Sequence, residues 1–283
     1  MTVEPTRGRS FGAMGTQWWI GCDHPELLPE AERLVHDMEG RLTRFRADSA
    51  LSELNRNRWA VDPFLAQVVA AADRMRRITA GAFEPTLGAQ LAGLGYDRGL
   101  DEIDENHVVP WTLPSAGGLV IGVRGDHVRL KGPGHLDLGG IAKGWTIDLV
   151  HDDLLRRGAT RVLVDGGGDL RGTGPWAVGV GRDRAVLLDG GLATSSTRRR
   201  TWQGAAGQRF HHLLDPATGT SSASAVVEAT VHAPDATTAD ALATALVVAP
   251  EPTLACLKDL GASAWLSDRE GREWTTPDWK EAV

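Results

Sequence analysis

Apolar residues recur at a helical period over residues 26–46, where Leu27, Leu28, Ala31, Leu34, Val35, Met38 and Leu42 share a face. The same period predicts a helix over 63–81, opening on Pro63 at its first turn and closing on Gly81. A third is predicted from about Ile141 to Arg157, with Gly158 as its C-terminal cap, and two more at roughly 236–248 and 252–260. Elsewhere the pattern is that of strands: "TQWWIGC" (16–22), "RVLVD" (161–165), "WAVGVG" (176–181), "AVLLDGG" (185–191) and "AVVEATVHA" (225–233). "GGLVIGVRGDHVRLKG" (117–132) predicts a hairpin turning at Gly125-Asp126, and a strand pair is expected around "DREG". Helices gather early and strands predominate later, without regular βαβ alternation. That predicts an α+β fold rather than a doubly wound sheet. No repeat or linker divides the chain, so residues 1–283 are expected to form one domain.

The 283 residues are 42% hydrophobic and 24% charged, ordinary for a globular chain with a sizeable core. A net charge of −7 argues against nucleic-acid binding, which needs a basic face. The one basic run, Arg198, Arg199 and Arg200, fits a solvated loop or an anion contact equally well. Cys22 and Cys256 lie far apart with no CxxC spacing, so neither a disulfide framework nor a thiol site is expected. There is no 18-residue apolar stretch, and "MTVEPTRGRSFGAMGT" has no apolar run of signal-peptide length. The expectation is a soluble, cytoplasmic protein without a membrane anchor.

The chemistry begins at "HLDLGGIAKGWTID" (135–148). Gly139 and Gly140 permit close backbone approach, the helix that follows offers amides and its positive dipole end, and Lys143 adds a full charge. Asp137 can accept hydrogen bonds from a nucleobase, a ribose or a flavin. A plain strand-to-helix turn capped by Asp137 explains the stretch equally well. No Ser or Thr follows Lys143, so it is not a P-loop. "VDGGGDLRGTG" (164–174) runs into the strand-like "WAVGVG" rather than a helix, which excludes a Rossmann fingerprint.

Two further stretches stand out. In "APDATTADALATALVV" (233–248) Asp240 and Thr244 are one helical turn apart, hard oxygen donors suited to Mg²⁺; most such pairs are merely solvated. In "FHHLLDPATG" (210–219), Asp215-Pro216-Ala217-Thr218-Gly219 is turn chemistry preceded by His211 and His212. The histidine pair lacks zinc spacing, which leaves a structural role or service as a base or ligand contact.

Together with "AMGT" (13–16), "RFRADSALSELN" (44–55), "GAFEPTLGAQL" (81–91), "VDGGGDL" (164–170) and "LATSS" (192–196), these stretches resemble the ApbE-type FAD:protein FMN transferases, in order along residues 13 to 248. The resemblance implies one two-lobed α+β unit of mixed sheets and helices, with a flavin site in the cleft between the lobes. It implies that Met14, Phe45, Ala82, Phe83, Glu84, Asp137, Lys143 and the backbone near Leu214 line the FAD site. The carbonyl of Gly140 and the side chains of Asp240 and Thr244 would hold Mg²⁺, one or two ions. Glu84 stands where the family usually has Asp, Phe45 where Tyr is common, and Ser196 where Gly is frequent.

The implied reaction is transfer of FMN from FAD to a Ser or Thr hydroxyl of a target protein, releasing AMP. Asp240 would anchor the metal, Lys143 would share the phosphate charge, and His212 would be the base. Two alternatives use the same site: an Mg²⁺-dependent FAD pyrophosphatase, and a flavin-binding protein without catalysis. "DGGLAT" (189–194) is similar to the acceptor motif of flavin-modified proteins but one residue short, and self-modification is not expected.

Overall fold

The computed structural model describes residues 7–99, 103, 118–180, 184–204 and 207–279. In chain order the elements are β1 (Arg7–Ala13), β2 (Thr16–Cys22), α1 (Leu28–Leu42), α2 (Ala50–Asn57), β3 (Trp59–Val61), α3 (Pro63–Ile78) and α4 (Gly88–Gly93). Then come β4 (Val120–Arg124), β5 (His127–Lys131), α5 (Ala142–Arg156), β6 (Val162–Gly166), β7 (Leu170–Val180), β8 (Arg184–Ser196), β9 (Thr201–Gln203) and β10 (Arg209–His211). The last are β11 (Val226–Ala233), α6 (Ala236–Val248), α7 (Pro250–Leu257), β12 (Ser263–Asp268) and β13 (Glu273–Thr275).

The architecture is α+β, as the sequence predicts. An eight-stranded sheet runs in the order β1-β2-β6-β7-β8-β11-β12-β13, and every neighbouring pair is antiparallel. A three-stranded antiparallel sheet, β3-β5-β4, lies apart from it, and β9 pairs with β10. No described helix is long and apolar enough to cross a membrane.

Helix α6 is the centre of the core. Asp235 caps it by accepting from the Thr238 amide at 2.7 Å. Its apolar residues occupy every face, so it is a buried helix rather than a surface one, and Leu242, Leu246 and Val247 are completely enclosed. Each such side chain contributes about 1.5–3 kcal/mol of transfer free energy. Contacts with β8, β11 and α5 fix this helix against the large sheet. Helix α5 lies beside it because position 144 is glycine; a methyl group there would run into the Ala236 carbonyl.

Several boundaries differ from the sequence expectation. The helix predicted over 26–46 is preceded by a 3-10 turn at Pro25–Leu27 and ends at Leu42, because Thr43 turns extended with ψ 140°. That exit carries Arg44 and Phe45 out of the helix. The helix expected at 252–260 starts at Pro250 and tightens to a 3-10 turn at Lys258–Leu260, stopped by Gly261 with φ +62°. Strands β1, β3, β9 and β10 and helices α2 and α4 were not predicted. They are short or mostly polar and leave too few periods to read. Gly117 and Gly181, at the ends of two predicted strand segments, lie outside the described residues.

Candidate functional site

Two clusters of the expected residues form, one around α5 and α6 and one around Asp137. In the first, Gly140 at the entrance to α5 faces Thr244 on α6. A methyl group on Gly140 would lie 3.0 Å from Thr244 Oγ1 and 3.2 Å from Phe83 Cε2. One turn earlier, Asp240 Oδ2 accepts from the Gly144 amide at 3.1 Å. Lys143, from the first turn of α5, is ion-paired with Asp169 and has its Nζ 3.8 Å from Asp240 Oδ2. Asp169 is itself oriented by the Thr194 amide at 3.0 Å, and Ser195 Oγ lies 3.2 Å from Thr244 Oγ1.

The electrostatics are those of a buried, crowded charge cluster. Burial works against the Lys143 ammonium, but Asp169 and Asp240 outweigh it and raise its pKa. Burial pushes Asp240 up to about 6; Lys143 pulls it back and Asp169 raises it further. Asp240 is therefore ionised at neutral pH at a cost, which an added cation would relieve. Among the described residues no three His, Cys, Asp or Glu gather to cage a metal. The donors here are one carboxylate, one hydroxyl and the main chain at Gly140. This all-oxygen set fits Mg²⁺, which keeps positions for phosphate and water.

One expectation for α5 changes. The helix was expected to offer unpaired N–H groups to an anion. The Ile141 and Ala142 amides both donate to the Leu138 carbonyl, at 3.1 and 2.8 Å, and the Gly144 amide is taken by Asp240, which leaves only those of Gly140 and Lys143 without a hydrogen bond among the described residues. The turn folds back on itself because no side chain caps this helix.

His212 stands near this cluster, within hydrogen-bonding reach of the Arg200 main chain. Burial, then Arg200, His211 and Lys143, depress its pKa to about 3, so it is neutral. Its Nδ1 has no partner among the described residues. His211 is instead structural, bonded to Ser221 and facing the Ser222 carbonyl.

The second cluster is built around Asp137. Its Oδ1 accepts from the Gly139 amide at 2.9 Å, closing the turn ahead of α5 rather than capping the helix as the sequence alternative had it, and its Oδ2 from Arg44 Nε at 2.5 Å. Asn55 holds the preceding residue, Leu136, at both N–H and C=O (2.7 and 2.9 Å). The Asp137 amide in turn donates to Pro85 at 2.8 Å, which brings the 82–86 segment alongside. The Arg44 guanidinium lies 4.3 Å from the centroid of Phe45 and 4.7 Å from that of Tyr96. Tyr96 stacks on Trp202 at 5.2 Å, within a core patch that includes Leu214. Phe45 is 42% exposed, an aromatic face open to a ligand.

The other expected residues are less available. Ala82 and Phe83 are buried in the main core. Both Glu84 oxygens are engaged, one with Arg76 at 2.7 Å and the other with Thr86. Met14 occupies the β1–β2 turn with φ +51°, its amide donating to Glu39 at 2.5 Å, and no hydrogen bond among the described residues ties it to either cluster. A cavity of about 560 Å³ lies elsewhere, lined by Arg74, Trp145, Asp148, Arg171 and Thr237. Asp148 there is committed to Arg171 and to the first amides of α6.

Reading the sequence missed Asp169, Arg44, Tyr96, Trp202 and Ser195 as site residues. For Asp169 a signal existed: a carboxylate directly after three glycines at the start of a strand.

Comparison with known proteins identifies relatives of the whole fold. The model of the ApbE family matches residues 14–265. The FAD:protein FMN transferase of Vibrio cholerae is 29% identical over 269 residues, covering 87% of this chain and 80% of that protein. The enzyme of the same name from Treponema pallidum is 30% identical over 271 residues, covering 82% and 74%. The crystal structure of the ApbE protein of Thermotoga maritima superposes with a TM-score of 0.82 at 26% identity, over 96% of this chain and 97% of that one. The flavin transferase ApbE of Vibrio cholerae gives 0.76 at 27% identity, over 96% and 98%.

Proposed function

The chain belongs to the ApbE family, and from that premise we propose that it is an FAD:protein FMN transferase, like the relatives it matches. The observation that carries the reading is the meeting of Gly140, Lys143, Asp240 and Thr244, from two distant segments, at one buried, acid-rich point. The proposed acceptor is a Ser or Thr hydroxyl on another protein, and the proposed compartment is the cytoplasm.

The reaction forms a bond between the acceptor oxygen and the FMN phosphorus and breaks the bridging P–O bond. AMP leaves with the bridging oxygen, and the acceptor proton must be taken up. Asp240, Thr244 and the Gly140 carbonyl would hold Mg²⁺, which would supply charge neutralisation at the phosphates. Asp169 fixes the Lys143 ammonium beside that point, so its charge is in place before the phosphates gain charge. His212 presents a bare Nδ1 to take the proton. The flavin ring is proposed to lie against Phe45, with Asp137, held by Arg44, at its polar edge.

The test is incubation with FAD, Mg²⁺ and candidate target proteins captured from the native host. Covalent flavin on a target with one AMP released per flavin supports transfer. Free FMN and AMP with no modified target would make the protein a pyrophosphatase, and no AMP under any metal would make it a binding protein.

A further inference from the structure

The basic run at 198–200 has an unequal structure. Arg198 and Arg199 are exposed, whereas Arg200 is half-buried. Its φ of +51° is left-handed, a conformation that costs energy for any residue with a side chain, and such strain concentrates at functional positions. The surrounding backbone enforces it. Thr197 donates to the Val227 carbonyl at 2.9 Å on one side of the turn. On the other side, Trp202 is locked by its indole bond to the Leu94 carbonyl at 2.7 Å and by stacking on Tyr96.

This turn links β8, where Ser195 Oγ lies 3.2 Å from Thr244 Oγ1, to Trp202 on β9, which stacks on Tyr96, so Arg200 lies on the segment that joins the phosphate end of the site to its aromatic end. Its charge acts on Lys143, Asp240 and His212 accordingly. Its guanidinium has no hydrogen bond or ion pair with any described residue. The other cation of the site is already committed, since Lys143 is ion-paired with Asp169 and close to Asp240.

Charge balance then decides what Arg200 is for. Asp169 and Asp240 carry two negative charges against the one positive charge of Lys143. The one oxygen site formed by Gly140, Asp240 and Thr244 takes a single divalent ion, which leaves the cluster at plus one, and the doubly negative pyrophosphate of FAD takes it to minus one. One further cation closes the balance, and a guanidinium also matches phosphate geometry with paired donors.

We infer that Arg200 binds the pyrophosphate of FAD directly and is the cation that completes charge neutralisation in this site. The inference rests on the flavin-transfer reading. Arg198 and Arg199 have no part in it.

The test measures binding of FAD and of riboflavin, which has no phosphate, by flavin fluorescence with Mg²⁺ present. Wild type is compared with Arg200→Gln, Arg200→Lys and Arg199→Gln, and AMP release is followed in parallel. Losing a charge-assisted pair weakens binding by about 10–100-fold. Arg200→Gln should lose that factor for FAD, keep riboflavin binding, and show a shallower salt dependence. Arg200→Lys should recover part of the loss, and Arg199→Gln should match wild type. Wild-type FAD affinity and turnover in Arg200→Gln would overturn the inference, as would equal weakening toward FAD and riboflavin. If Arg200→Gln does not fold, the ratio of FAD to riboflavin affinity in Arg200→Lys decides: a fall relative to wild type supports the inference, and an unchanged ratio overturns it. Failure of wild type itself to bind or cleave FAD would instead defeat the flavin-transfer reading.

Discussion

Replacing Lys143 with Met removes one positive charge from between two acids that are almost fully enclosed. The Asp169 and Asp240 side chains are 4% and 5% exposed, so water cannot take over the role of the ammonium. Breaking one partner out of a buried ion pair costs about 3–5 kcal/mol, mostly from the charge left behind. At about 2–4 °C per kcal/mol for a chain of this size, Lys143→Met should lower the melting temperature by about 10 °C. Two controls separate electrostatics from packing. Adding Asp169→Asn to Lys143→Met removes a stranded charge and should restore most of the stability while leaving AMP release abolished. Mg²⁺ should raise the melting temperature of Lys143→Met more than that of wild type, because the ion replaces the lost charge. The assay is thermal unfolding in EDTA and in Mg²⁺. A loss below about 2 °C for Lys143→Met, or a double variant no more stable than the single one, would refute the reasoning.

Further tests address the remaining parts of the site. His212 has a folded pKa near 3 against 6.5 unfolded, so the unfolded chain binds the extra proton and stability falls as pH drops below 6.5. At pH 5, about 1.5 units down, wild type should lose about 2 kcal/mol that His212→Gln does not, read by urea unfolding at pH 7 and pH 5. Phe45→Ala should weaken FAD binding about tenfold through lost ring stacking, with only a small fall in melting temperature, since Phe45 is partly exposed and loses its contacts with Arg44 and Tyr96. Asn55→Ala frees both polar groups of Leu136 and should cost about 1–3 kcal/mol while raising KM for FAD more than it lowers kcat, measured by AMP release.

Local pattern carried much of the fold. Helix α6 was expected at roughly 236–248, and the Asp240–Thr244 pair follows from four-residue spacing alone. The partnership of Thr244 with Gly140 was not, because a hundred residues and two packed helices intervene; only the family resemblance brought the two together. Asp169 is hard to read for a related reason: its partner, Lys143, lies on a different element, and the glycine-rich turn before it fits no nucleotide fingerprint. Arg200 is distinguished from its two neighbours by one left-handed backbone angle, which no composition argument reveals. Of the amides at the start of α5, those of Ile141, Ala142 and Gly144 are satisfied internally through Leu138 and Asp240, which sequence does not show.

The most direct test of the central claim is anomalous diffraction from crystals grown with FAD and Mn²⁺ in place of Mg²⁺. A peak within bonding distance of the Gly140 carbonyl, Asp240 and Thr244 Oγ1, touching the pyrophosphate, is the predicted result. A peak bound elsewhere, or FAD held with no ion at that point, would contradict it.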